Sequence, residues 1–144
     1  MAKRKLIVTV APTSNFHGKE ANPALPEQPH EIGEEARRCQ DAGASVIHIH
    51  GRDKQGVQTN DLEVFREINS EVRAKSRLII QNSTAPAMKP GTTVDDGLSV
   101  LEAGPEMCSL DCGVLIVGYK GVESPLMWTR NWLRNAAKAM LDKG

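Results

Sequence analysis

At 144 residues the chain has the length of one domain, predicted over residues 1–144. Its 18 basic and 18 acidic residues are evenly mixed and cancel, so it offers no basic patch for nucleic acid. No apolar run approaches a membrane span. The three cysteines have no CxxC spacing, which favours a reducing, cytoplasmic compartment over a disulfide scaffold.

The first part of the chain alternates between strand and helix patterns. Residues Leu6–Val10 form a continuous β-branched run, which predicts a strand buried on both faces. The long loop 11–28 follows this strand, and that position predicts that it covers a site. A helix is predicted from Pro29 to the Ala42-Gly43 pair, and the strand 45–50 comes next.

The rest of the chain continues this alternation. Strands are predicted at 78–82 and 107–113, a polar turn precedes the first of them, and three helices alternate with these two strands. The turn is predicted at 52–59. The helices are predicted after Asn60, from Thr93 to Gly104, and from Ser124, with Pro125 at the first position and Leu126 on the apolar face.

This order of elements predicts an α/β fold with a parallel sheet and right-handed crossovers. Four such units fit a small doubly wound sheet. They also fit half of an eightfold barrel, which typically needs about 250 residues. The periodicity leaves both architectures open.

Two histidines stand out in the strand 45–50. His48 and His50 are two residues apart, so their side chains share one face, while Ile47 and Ile49 occupy the other. Gly51 ends the strand and places the pair at its carboxyl end, where parallel sheets keep their chemistry. Such a pair can converge on one ion, and zinc suits imidazole. The alternative is two histidines that are hydrogen-bonded near a core.

Polar residues end all four predicted strands, and in a parallel sheet these ends lie on one face. They are Thr9 and Thr13, His48 and His50, Asn82 and Ser83, and Ser109 and Asp111. A shared site is therefore predicted. The sequence has no phosphate loop, dinucleotide fingerprint or nucleophile elbow.

Three segments resemble the β-keto acid cleavage enzyme family. Residues 46–56, VIHIHGRDKQG, resemble its H-x-H-x-R-D-x-x-G signature. Residues 80–84 (IQNST) and 106–113 (EMCSLDCG) resemble its third and fourth strand segments. The resemblance runs along essentially the whole chain and corresponds to the N-terminal half of the family.

The resemblance implies a TIM barrel, of which this chain supplies a parallel (β/α)4 half; the full (β/α)8 barrel is expected only with a second half. It implies zinc bound by His48 and His50. It also implies acyl exchange between a 3-keto acid and the co-substrate acetyl-CoA, giving an acyl-CoA and acetoacetate. Ser83 and Ser109 would contact the keto acid.

Supporting roles are implied for four further residues: Arg52, Asn82, Thr84 and Asp111. Asp111 stands where the family often has asparagine. Phe16 aligns near a family glutamate that helps to hold an amino group, which argues against an amino-keto acid as the substrate.

The third metal ligand expected from the family, with the assisting arginine and acid, would follow the last helix. The resemblance therefore predicts an enzyme whose active site is complete only with further polypeptide. One alternative is a catalytically incomplete metal-binding fragment or a half-barrel that needs a partner chain, including a homo-oligomer. A second alternative is a metal-dependent hydrolase, because H-x-H pairs recur on barrels.

Overall fold

The computed structural model describes residues 5–118 and 125–143. In chain order the elements are β1 (Thr9–Val10), α1 (Pro29–Asp41), β2 (Val46–Ile49), β3 (Gly51–Arg52), β4 (Gln58–Thr59), α2 (Leu62–Lys75), β5 (Ile79–Asn82), a 3₁₀ helix (Val94–Ala103), β6 (Met107–Cys108), β7 (Leu115–Val117), β8 (Leu126–Trp128) and α3 (Arg130–Asp142). No helix within the described ranges is long and apolar enough to cross a membrane.

A four-stranded sheet lies at the centre, in the spatial order β1-β2-β5-β6, and every neighbouring pair of strands is parallel. The register places His48 beside Gln81 and Ile49 beside Asn82. The predicted parallel (β/α)4 arrangement is confirmed. The outer strands of this sheet are β1 and β6, each with one neighbour in it.

The helices pack on the sheet face that carries Ile47 and Ile49, both of which are fully buried. Their apolar stripes follow the predicted helical spacing. The remaining buried members of this core are Ile32, Ala36, Phe65, Ile68, Val72, Leu78, Ile80, Val100 and Ala103. This packing leaves the opposite face of β2 to the histidines.

The beginnings of α1 and α2 are fixed by different caps. Helix α1 begins at Pro29 as predicted, and Glu31 accepts a hydrogen bond from the backbone N–H of Gln28 at 3.0 Å. Helix α2 is capped by Asp61, which accepts hydrogen bonds from two backbone N–H groups of its first turn. The prediction of Asn60 as this cap was wrong by one residue.

Two predicted strands are shorter than expected. The run Leu6–Val10 contributes only β1, and Leu6 and Ile7 are 84% and 80% exposed rather than buried on both faces. The physical reason is that β1 is an outer strand of the sheet. The segment 107–113 contributes only β6, and the Ser109 side chain beyond it bonds to the loop after β5.

Two antiparallel pairs were not predicted. Strands β3 and β4 pair within the segment that was predicted to be a polar turn. Strands β7 and β8 also pair, so Leu126 lies in a strand rather than in the last helix. Helix α3 begins at Arg130, with the Thr129 side chain as its cap. The predicted cap, Ser124, lies outside the described residues.

Candidate active site

The two histidine rings lie on the same side of β2, as their spacing predicts. The Nε2 atoms of His48 and His50 are 3.2 Å apart, and the ring planes meet at 76°. Both side chains are half-buried at the carboxyl end of the strand. The imidazole nitrogens therefore converge on one point beside the sheet.

Neighbouring side chains hold this pair from two directions. The Nδ1 atom of His48 lies 2.8 Å from Oε1 of Gln81 on β5. The backbone N–H of His50 donates to the Thr13 hydroxyl at 2.7 Å, which ties the first loop to the site. The histidines are thus placed by the sheet and the loop together.

The electrostatic surroundings keep His50 neutral. Burial, together with the smaller effects of the neighbouring His48 and Arg52, lowers the pKa of His50 to about 4. At neutral pH the ring therefore keeps a nitrogen lone pair. A neutral imidazole is the form that ligates metal ions.

The geometry of the pair fits zinc. Two zinc–nitrogen bonds of about 2.0–2.1 Å at the tetrahedral angle hold their nitrogens roughly 3.3 Å apart. The distance between His48 Nε2 and His50 Nε2 is 3.2 Å. Among residues 5–118 and 125–143, no group of three or more His, Cys, Asp or Glu side chains gathers to hold a metal. Catalytic zinc normally takes three protein ligands, so this pair alone is an incomplete set.

Hydroxyl groups follow β5 and β6 at the same edge of the sheet. The Ser83 hydroxyl accepts a hydrogen bond from the N–H of Ala85, and the Ser109 hydroxyl accepts one from the N–H of Thr84. Within the described residues neither serine hydroxyl donates to a protein atom. By contrast, the Thr84 hydroxyl donates to the Ser109 carbonyl at 2.6 Å. The two serines retain a donor, whereas Thr84 uses its own to join the two loops.

A cavity of about 360 Å³ opens beside His50. Its walls combine polar groups of the first loop and Asp111 with apolar side chains of the last two strands. The lining residues are Thr13, Ser14, Asn15, Phe16, His50, Ala85, Met88, Asp111, Leu115, Val117 and Trp128. A larger cavity, about 480 Å³, lies near the start of α2 and contains none of the predicted site residues.

Two predicted site residues lie outside this cluster. The Arg52 guanidinium is buried and donates to backbone carbonyls of the first loop and of the β3–β4 turn. Asn82 is fully buried on the helix-facing side of β5 and donates to the Val100 carbonyl. Among the other predicted residues, His48 lies beside His50, Thr84 is hydrogen-bonded to Ser109, and Asp111 lines the same cavity as His50.

Two residues of the site were missed by sequence reasoning. Gln81 contacts His48. The alternation along β5 could have shown only that Gln81 shares a face with Ser83, opposite to Ile80 and Asn82. Asn60 braces the loop after β5, bonding to the Ala85 carbonyl and the Ala87 N–H. Only the folded structure shows this bracing role of Asn60.

Comparison with known proteins identifies several relatives. A family model described as "beta-keto acid cleavage enzyme" matches residues 5–144. Two 3-keto-5-aminohexanoate cleavage enzymes, from Fusobacterium nucleatum subsp. nucleatum and Acetoanaerobium sticklandii, are each 38% identical to this chain, covering 97% of it and 50% of the enzyme. The 3,5-dioxohexanoate:acetyl-CoA acetone transferase of Paraburkholderia graminis is 33% identical, covering 93% of the chain and 45% of that protein. The chain spans about half the length of the curated relatives it matches.

A solved structure shares the fold. The apo structure of ObcA superimposes with a TM-score of 0.60 at 21% identity, covering 81% of this chain and 28% of that chain. At this level of identity the likeness concerns the fold alone.

Proposed function

Because this chain belongs to the β-keto acid cleavage enzyme family, we propose that residues 1–144 are the metal-binding N-terminal half of an acyl-exchange enzyme. The reaction is exchange between a 3-keto acid and acetyl-CoA, giving an acyl-CoA and acetoacetate. The observation that carries this proposal is the convergence of two imidazole nitrogens, 3.2 Å apart, at the carboxyl edge of the parallel sheet. The name of the Paraburkholderia relative, an acetyl-CoA transferase, supports acetyl-CoA as the co-substrate.

His48 and His50 would hold the metal ion, and zinc fits their spacing. When bound, zinc supplies a Lewis acid that polarises a keto oxygen. The low pKa of His50 supports this role, because the ring does not need to lose a proton before it binds metal at neutral pH.

Ser83 and Ser109 would orient the keto acid. Each hydroxyl accepts a backbone N–H and retains its own hydrogen, which is the donor that a carboxylate or keto oxygen needs. Thr84 supports Ser109 through two hydrogen bonds. Asp111 lines the cavity with His50 and would face the bound substrate.

Arg52 and Asn82 would support the site from a distance. Arg52 holds the first loop, whose residues line the cavity, through its bonds to two loop carbonyls. Asn82 joins β5 to the 3₁₀ helix through the Val100 carbonyl. Neither residue needs to touch the substrate in this proposal.

A second half-barrel would complete the sheet. Within residues 5–118 and 125–143, no strand pairs with the outer edge of β1 or of β6. At these outer strands Val8, next to β1, and Met107, in β6, are 46% and 44% exposed, which is high for large apolar side chains. A further part of the polypeptide, a partner chain or a second copy in a homo-oligomer would cover them.

Metal binding without turnover is the second candidate function of this chain alone. It is favoured by the two-histidine ligand set, since the described ranges offer no third ligand beside it. The two candidates differ only in whether added chain restores catalysis.

The test measures zinc content and acetoacetate formation from a 3-keto acid and acetyl-CoA. The chain is assayed alone and after a C-terminal half is supplied from one of the full-length relatives. Turnover only in the completed form supports the proposal, whereas bound zinc without turnover in either form supports the second candidate. His48→Ala should abolish zinc binding, while exposed His30→Ala should leave it unchanged. Zinc bound equally by His48→Ala would refute both.

A further inference from the structure

Gln81 lies where it can decide which nitrogen of His48 is protonated. Its Oε1 atom is 2.8 Å from Nδ1 of His48, and the two residues are direct partners in the β2–β5 register. We infer that Gln81 is a positioning residue that holds His48 with its hydrogen on Nδ1 and its Nε2 lone pair toward a metal. This inference rests on the proposed function of the histidine pair.

The backbone around Gln81 is held on both sides. Ile80 and Asn82 are fully buried on the other face of β5, and Asn82 is hydrogen-bonded to the 3₁₀ helix. The N–H of Ser83 donates to the carbonyl of Ile49 at 2.9 Å, which continues the pairing with β2 beyond Asn82. The amide of Gln81 is therefore presented to His48 from a fixed strand.

The chemistry of the contact selects one tautomer. A neutral imidazole has one N–H, and the amide oxygen of glutamine can only accept a hydrogen bond. The hydrogen therefore lies on Nδ1 of His48, and Nε2 keeps its lone pair. That lone pair faces Nε2 of His50 at 3.2 Å, the point where both rings converge. A hydrogen on Nε2 of His48 would instead occupy this point and oppose metal binding.

The role is that of an outer partner to a metal ligand. Such partners fix the tautomer and ring orientation of a ligating histidine, and their loss typically weakens metal binding about 10–100-fold. Glutamine performs this role without adding a negative charge beside the ligand pair. Gln81→Glu keeps the acceptor oxygen, whereas Gln81→Leu removes it and preserves the approximate size of the side chain.

The experiment uses the 144-residue chain and Zn²⁺ alone, with affinities measured by competition against a chromophoric chelator. Gln81→Leu should bind Zn²⁺ about 10–100-fold more weakly than the wild type, while Gln81→Glu should stay within about threefold or bind more tightly. Gln55→Leu removes an exposed glutamine from the β3–β4 turn and should leave the affinity unchanged. Circular dichroism checks folding, and Gln81→Met replaces the leucine variant if that variant unfolds.

The tautomer is read independently of metal, from ¹⁵N chemical shifts of His48 in the metal-free protein. The wild type and Gln81→Glu should show the hydrogen on Nδ1, and Gln81→Leu should lose this preference. A hydrogen on Nε2 in the wild type, or equal Zn²⁺ affinity in Gln81→Leu, would overturn the inference. If the wild type binds no Zn²⁺ either alone or with an added C-terminal half, the proposed function fails, and the tautomer measurement alone then decides whether Gln81 positions His48.

Discussion

Gly97 of the 3₁₀ helix lies directly against the carbonyl oxygen of Thr84. A Cβ atom at Gly97 would stand 1.9 Å from that oxygen and 2.9 Å from the carbonyl carbon. The helix therefore touches the backbone of the segment that follows β5. Because Thr84 holds Ser109 through two hydrogen bonds, this contact helps to place the substrate-binding edge that we propose.

Gly97→Ala should destabilise the protein by about 1–3 kcal/mol, because backbone atoms must move to admit the methyl group. Denaturant unfolding measures this change, and hydrogen exchange should show faster exchange at the Thr84 amide. Gly113→Ala is the matched control, since a Cβ there meets nothing within 4 Å. Its free energy of unfolding should stay within about 0.5 kcal/mol of the wild type. Equal free energies of unfolding for the two variants would show that the 3₁₀ helix moves to admit the methyl group without loss of stability.

The sequence predicted the elements of this fold that depend on residues close together in the chain. Helices α1 and α2 follow from apolar spacing, and β2, with His48 in it and His50 directly after it, follows from alternation. These signals lie within about a dozen neighbouring residues. The same alternation correctly placed Ile47 and Ile49 on the face opposite to the histidines, and in the structure both are fully buried there.

The remaining features depend on contacts between distant segments. Strand β8 forms because Leu126 and Trp128 are buried while Met127 pairs across to Ile116, yet the same residues fit a helix when read alone. The contact between Gln81 and His48 depends on the register of two strands, which sequence spacing does not fix.

Glu31 should make folding stability depend on pH. The Lys19 ammonium at 2.5 Å, with the backbone N–H groups of Glu27 and Gln28, lowers the pKa of Glu31 to about 2, from 4.5. Because the folded pKa is the lower one, the carboxylate stabilises the protein above pH 4.5. This stabilisation is lost as the pH falls toward 2.

Glu31→Gln should therefore lower the free energy of unfolding by on the order of 2 kcal/mol at pH 7 and by almost nothing near pH 2. Denaturant titrations at several pH values measure the difference. Glu67→Gln changes an exposed glutamate of α2 and should show no such dependence. A constant difference between wild type and Glu31→Gln across this range would contradict the prediction.

The three cysteines should differ in their reactivity toward a thiol reagent. Burial raises the pKa of Cys108 to about 11, and burial together with Glu35 raises the pKa of Cys39. Cys112 is exposed. Because the thiolate is the reactive form, Cys112 should be modified first. Peptide mapping after brief alkylation at pH 7.5 should find the label there, and Cys112→Ser should remove the fast phase. Equal labelling of Cys108 would show that the sheet opens readily.

Arg52 should hold the first loop over the site. Its guanidinium donates to the carbonyls of Ser14, His17 and Gly56 and lies 3.8 Å from a Glu27 carboxylate oxygen, with only 8% of the residue exposed. Arg52→Met leaves these carbonyls and the half-buried carboxylate without their cation, so stability should fall by about 2–4 kcal/mol. Hydrogen exchange at residues 13–18 should accelerate more than exchange in α2.

The control variant is Arg66→Met, which removes only a surface ion pair and should change stability by less than about 0.5 kcal/mol. Unchanged exchange in Arg52→Met would mean that the loop is held by Thr13 and its own turns.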